Sequence, residues 1–143
     1  MDDALTVNDL SVSYHSLDDA RMITLIDSIR KGISFPLFLS LVNRSPFTLP
    51  EWSSFLHLSE RTIQRYRKEK RHFDPVHSEK ILEITLLYNL GIEIFGDTNR
   101  FDAWLDTGNI ALGGNKPKAF LDSTLGIGML KDELTRIEQG VLA

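Results

Sequence analysis

Apolar residues recur along the chain at helical spacing. Met22, Leu25, Ile26 and Ile29 fall at i, i+3, i+4 and i+7, which predicts a helix over 18–31. Gly32 stands where a left-handed cap would end it. Ser34-Phe35-Pro36 restarts the chain, and Leu37, Phe38, Leu41 and Val42 form the next apolar face. A turn containing Pro46 separates this helix from Thr48-Leu49-Pro50-Glu51, which reads as a capping box with proline in the first turn. That short helix runs through Leu56, and Ser59 caps another to about Arg71. Asp74-Pro75 opens a long helix to about Phe95. Its apolar residues lie on nearly every side, so it is expected at the centre of the fold. Gly96-Asp97 ends that helix and caps one carrying Phe101 and Trp104, both read as core. A glycine-rich loop follows over 107–116, then a short helix from Pro117. A last helix is capped by Ser123 and ends at Gly140, and Gly126 within it permits close packing on a neighbour. Nothing alternates with period two, so the expected class is all-α. Residues 1–16 hold three acids and no clear period, and are expected to be a flexible arm.

The stretch 49–66 holds the parts of a helix-turn-helix in register. Such a unit needs a small residue in the first helix, a tight turn, and apolar residues on the inner face of the second. Ser53 is the small residue, His57 sits at the turn, Leu58 plugs the start of the second helix and Ser59 caps it. Ile63 and Tyr66 face inward. The turn position wants a positive φ, which histidine adopts less readily than glycine. Arg61, Gln64, Arg65 and Lys68 then form an outward stripe with Glu60. Arginine reads guanine and glutamine reads adenine through paired hydrogen bonds in the major groove. Lys68, Lys70 and Arg71 are placed to neutralise phosphates, and the helix start at Ser59 suits a phosphate as well. The competing reading of this stretch is an ordinary solvated helix face.

Charge sharpens the choice. The chain carries a net −4, yet 59–72 holds six Lys/Arg against two acids, leaving about −8 elsewhere. A basic stripe on an acidic body suits an operator-specific binder better than a general DNA coat. With 42% hydrophobic and 25% charged residues, the composition is that of a globular protein. There is no cysteine, so disulfides and thiolate chemistry are excluded. The acidic start is unlike a secretory signal, and no stretch approaches the ~20 apolar residues of a membrane helix; a cytoplasmic location is expected. The loop at 108–116 has Gly114 and Asn115 where a phosphate loop needs Lys and Ser/Thr. His15, His57, His72 and His77 lack the spacing of a helical metal pair, and no catalytic constellation is visible. No enzymatic activity, metal or cofactor is expected.

The second half carries a resemblance. Phe95-Gly96-Asp97, Trp104-Leu105, the run 109–114, Pro117, Leu121, Gly126 and the run 136–141 resemble the antitoxins of the Xre/MbcA/ParS group. The similarity covers about 49–143 and is most specific at 111–114 and 136–141. Where this family often has proline before the loop asparagine, this chain has Gly108. The resemblance implies an Xre-like helix-turn-helix bundle followed by a small helical toxin-binding domain. It implies a RES-type, NAD-consuming toxin as partner, with the antitoxin's C-terminal region over the toxin's active-site entrance and the helix-turn-helix on the promoter of the pair's own operon. It places Arg136, Glu138 and Val141 at the toxin-facing end. The organisation expected is an arm at 1–16, a DNA-binding domain at 17–73 and a toxin-binding domain at 74–143, acting as a homodimer because two-fold operators match two-fold dimers. The alternative is a stand-alone helix-turn-helix regulator whose second half dimerises or senses a ligand; a small helical enzyme ranks last.

Overall fold

The computed structural model describes residues 5, 6 and 8–140. Among them are seven α-helices, four 3₁₀ turns and no strand: α1 (Asp19–Lys31), α2 (Phe35–Arg44), α3 (Leu49–Leu56), α4 (Glu60–Glu69), α5 (Pro75–Phe95), α6 (Thr98–Leu105) and α7 (Thr124–Glu138). The architecture is all-α, a helix-turn-helix bundle followed by a helical C-terminal unit.

Side-chain caps make the helix starts, four of them (Thr48, Ser59, Asp97 and Ser123) as anticipated. Asp18, Ser34, Thr48, Ser59, Asp97 and Ser123 each accept a hydrogen bond from an amide two or three residues ahead. The capping box is complete: Thr48 Oγ1 accepts from the Glu51 amide at 3.2 Å, and Glu51 Oε1 accepts from the Thr48 amide at 3.0 Å. Asp74 is the exception, starting α5 without a side-chain cap bond.

Helix α5 is the spine. It packs against α1 and α3 toward the first half and against α6 and α7 toward the second. Ile81, Leu82, Ile84, Leu86, Leu87 and Leu90 are all buried, within one apolar core that runs through both halves. Phe38, Trp52 and Phe73 fill the first half, with Phe38 4.7 Å from Phe73 and edge-on to Trp52 at 5.7 Å. The start of α5 is clasped to the α1–α2 link. The fully buried Ser78 hydroxyl accepts from the Ile33 amide at 2.9 Å and donates to the Phe73 carbonyl at 3.2 Å. Gly32 closes α1 at φ +90, and a Cβ there would stand 2.4 Å from the Phe73 oxygen. In the second half Gly91 admits Phe101, whose ring atoms lie 2.0–2.3 Å from where a Cβ would be. Gly126 likewise lets α7 close on the Phe120 carbonyl.

Two expectations are corrected, and the apolar residues of α1 divide between core and surface. Residues 8–16 are not a flexible arm. They form 3₁₀ turns at Asn8–Leu10 and Tyr14–Ser16, and Leu10 is fully buried. Asn89 Nδ2 donates to the Leu10 and Val12 carbonyls at 2.7 and 2.8 Å, and Ser13 Oγ donates to Glu93 Oε2 at 2.5 Å. Polar side chains of α5 thus anchor the segment, and such anchoring leaves no apolar period to read; residues 1–4 and 7 lie outside the described residues. On α1, Leu25 is buried and Ile29 partly so, but Met22 and Ile26 point outward. The short helix from Pro117 is a single 3₁₀ turn, Pro117–Phe120.

Candidate DNA-binding and partner-binding surfaces

The helix-turn-helix is α3, its turn and α4. His57 takes the left-handed conformation, φ 56 and ψ 36. Its amide bonds the Ser54 carbonyl at 3.2 Å and the Leu58 amide bonds that of Ser53 at 3.1 Å, so α3 ends as glycine-capped helices do, but on histidine. The Ser53 hydroxyl donates to the Leu58 carbonyl across the turn. The ring explains the choice: His57 Nε2 donates to the Asp122 carbonyl, just before α7, at 2.7 Å. Lys80 Nζ reaches the same oxygen at 2.8 Å. Burial pushes the nearby His77 imidazole down from its ordinary pKa; Lys80, His57 and Arg71 add to this and Asp74 opposes it.

Helix α4 buries Ile63 and Tyr66, and Tyr66 meets Phe73 edge-on at 5.4 Å. Ser59 Oγ accepts from the Thr62 amide at 3.0 Å, so its hydroxyl is occupied as the cap. Arg61, Gln64, Arg65 and Lys68 are exposed at i, i+3, i+4 and i+7 on one face, and among the described residues none has an ion pair. Arg71 sits apart from them. Lys70, at φ 55, ends the helix in a second left-handed non-glycine cap. The chain then turns back, placing the Arg71 guanidinium 4.4 Å from the centre of the Tyr66 ring and 3.4 Å from Asp74 Oδ1. Neither this cap nor the stacking was foreseen: a lysine carries no left-handed signal, and the contact depends on the turn it makes.

The second surface lies at the end of α7. Arg136 donates from Nε and Nη2 to Glu133 Oε1 at 2.9 and 2.7 Å. Both Glu138 carboxylate oxygens lie 3.0 Å from His15 Nε2, so Glu138 is tied to the N-terminal segment. Beside this pair Lys131 Nζ stands 3.8 Å over the Tyr14 ring, and burial, then Glu83, pushes the Tyr14 pKa up to about 12. Val141 lies outside the described residues. The loop before α7 is well held. The Asn109 side chain caps the Ala111 amide at 2.9 Å, and the Gly114 amide bonds the Asn109 carbonyl at 2.8 Å. Gly108 brings its backbone so near that a Cβ would stand 2.8 Å from the Gly114 oxygen. Lys118 joins the halves with 2.9 Å bridges to Glu51 and Asp106.

Among the described residues no group of three or more His, Asp or Glu could hold a metal, and no helix is long and apolar enough to cross a membrane.

Comparison with known proteins divides the chain where these surfaces do. Residues 24–85 match the antitoxin Xre-like helix-turn-helix domain. Residues 90–140 match the antitoxin Xre/MbcA/ParS C-terminal toxin-binding domain. A relative named Antitoxin Xre, from Yersinia enterocolitica serotype O:8, is 26% identical over 128 residues, covering 89% of this chain and 86% of that protein.

Proposed function

This chain belongs to the Xre/MbcA/ParS-type antitoxins, non-enzymatic regulators that join a helix-turn-helix to a toxin-binding domain, and from that premise we propose how its two surfaces divide the work. It is a type II antitoxin; its toxin is a RES-type, NAD-consuming enzyme, held inactive by steric blockade in the cytoplasm. The blocking region is the end of α7, with Arg136, Glu138 and Val141 toward the toxin. The chain represses its own operon as a homodimer. Arg61, Gln64 and Arg65 reach base edges in the major groove, Lys68 and Arg71 meet phosphates, and the α4 start at Ser59 docks on another phosphate.

The observation that carries this reading is the exposed α4 face, four side chains able to contact DNA with no ion pair to satisfy them, on a helix fixed from behind by Ile63 and Tyr66. Charged faces that only solvate a helix are commonly laced with i, i+4 ion pairs, and this one is not.

Coexpression with the adjacent toxin gene tests the first role. The pair is expected to copurify and growth to recover; a protein that does neither is not the antitoxin of that toxin. Gel-shift titration against the upstream operator tests the second, and retardation no stronger than on scrambled DNA would refute repression by direct binding.

A further inference from the structure

Helix α1 leaves its outer face uncovered. Its only fully buried side chain is Leu25. Opposite it Ile23 is 66% exposed; Ile26 to its flank is 40% exposed, and Met22, nearer Leu25, 42%. Asp19, Ile23, Ile26 and Arg30 follow one another at steps of four, three and four, so they form one straight seam opposite Leu25. The seam has an acid at its first end, a base at its last and two isoleucines between. Neither Asp19 nor Arg30 has an ion pair among the described residues.

That order is self-complementary. We propose that α1 pairs with α1 of a second copy of this chain, antiparallel, about a two-fold axis passing between Thr24 and Leu25. The axis sets Ile23 against Ile26 of the second copy, twice, and closes each end with Asp19 facing Arg30. A parallel pairing would set Asp19 on Asp19 and Arg30 on Arg30, which like-charge repulsion opposes. The antiparallel contact is isologous and closes at two subunits. This deepens the reading of the protein as a dimer on its operator by naming the face that pairs.

The contact is small. A helix of 13 residues, about 20 Å long, covers less than the ~800 Å² per partner of a standard interface. The free chain therefore dimerises weakly, and two half-sites on one operator strengthen the pairing by holding both copies together.

The absence of cysteine gives a clean test. Full-length Ile23→Cys and Ile26→Cys proteins, carrying tags of different size, are mixed and oxidised with copper phenanthroline. Cross-links between 23 and 26 are expected to dominate; links mainly of 23 to 23 and 26 to 26, or none, overturn the pairing. Sedimentation equilibrium of the free chain supplies the second arm. Wild type is expected to pass from monomer to dimer mass with concentration. Asp19→Arg or Arg30→Asp alone should weaken the dimer by about tenfold, and the two together should restore it. All four substituted sites are exposed, and circular dichroism verifies that each variant keeps its helices. A chain monomeric throughout, or a dimer indifferent to the charge exchange, refutes the proposal. So does a face that Ile23→Glu with Ile26→Glu disables only for toxin binding. Neither main arm contains toxin or DNA, so their failure leaves the antitoxin reading standing.

Discussion

The His57 imidazole and the Asp122 carbonyl meet at 2.7 Å, tying the turn of the helix-turn-helix to the residue before the Ser123 cap of α7. A non-glycine residue in the left-handed region is strained by about 1 kcal/mol or more, and a net hydrogen bond returns about 1 kcal/mol. His57→Gly is therefore expected to leave stability nearly unchanged, while His57→Ala, which keeps the strain and loses the bond, loses about 1 kcal/mol. Urea unfolding of the two variants decides it. An alanine variant as stable as the glycine one contradicts the left-handed geometry.

Glycines within helices offer a test of sign. At Gly128 nothing stands within 4 Å of a new Cβ, so Gly128→Ala should stabilise the protein by about 0.5–1 kcal/mol through helix propensity alone. At Gly91 the same change drives a methyl into the Phe101 ring and should cost about 1–3 kcal/mol or more. Thermal melts of the pair should move in opposite directions.

For the DNA surface, Arg61→Ala with Arg65→Ala should abolish operator binding without changing the melting temperature, since both side chains are exposed. Lys68→Ala should weaken binding to all sequences alike and lower the slope of log K against log salt by about 1. Simultaneous loss of toxin binding in the double variant would mean that the two roles are not divided as proposed.

Acid should loosen the link between the halves. Burial alone would raise the Glu51 pKa, but the Thr48 amide and Lys118 outweigh it and hold the carboxyl below its ordinary 4.5. A folded pKa below the unfolded one contributes stability above the unfolded value, and that contribution is lost as pH falls through the folded one. Wild type should therefore weaken on acidification below about pH 4.5. Glu51→Gln keeps the capping box but not the charge facing Lys118, and should flatten that part of the pH profile. Equal slopes for the two proteins below pH 4.5 would remove Glu51 from the account.

Leu10→Ala bears on the N-terminal segment. A fully buried leucine loses about 2–5 kcal/mol on truncation, whereas one in a loose arm loses nothing measurable. Denaturant midpoints separate these outcomes.

What could be read in the chain beforehand was whatever physics makes local. Caps at Ser59 and Ser123, the box at Thr48 and Glu51, and the apolar wrap of α5 each depend on neighbours a few residues away, and each stands where expected. The outward stripe of α4 followed from its period and from the burial of Ile63 and Tyr66. What escaped notice joins distant parts. Asn89 holds the backbone of 10–12, His15 meets Glu138, and Lys118 bridges to Glu51; side-chain anchors of this kind have no periodicity. The exposure on α1 was not legible for a related reason. Apolar spacing tells which residues share a side, not that Met22 and Ile26 stay exposed.

The placement of α5 has a consequence for timing. The spine presents leucines and isoleucines to the elements behind α4 and to α6 and α7 at once, in one continuous core. Neither half can melt away and leave the other a complete wall. On the proposed division of work, a protease or chaperone that pulls the chain apart would therefore release toxin and operator in the same event.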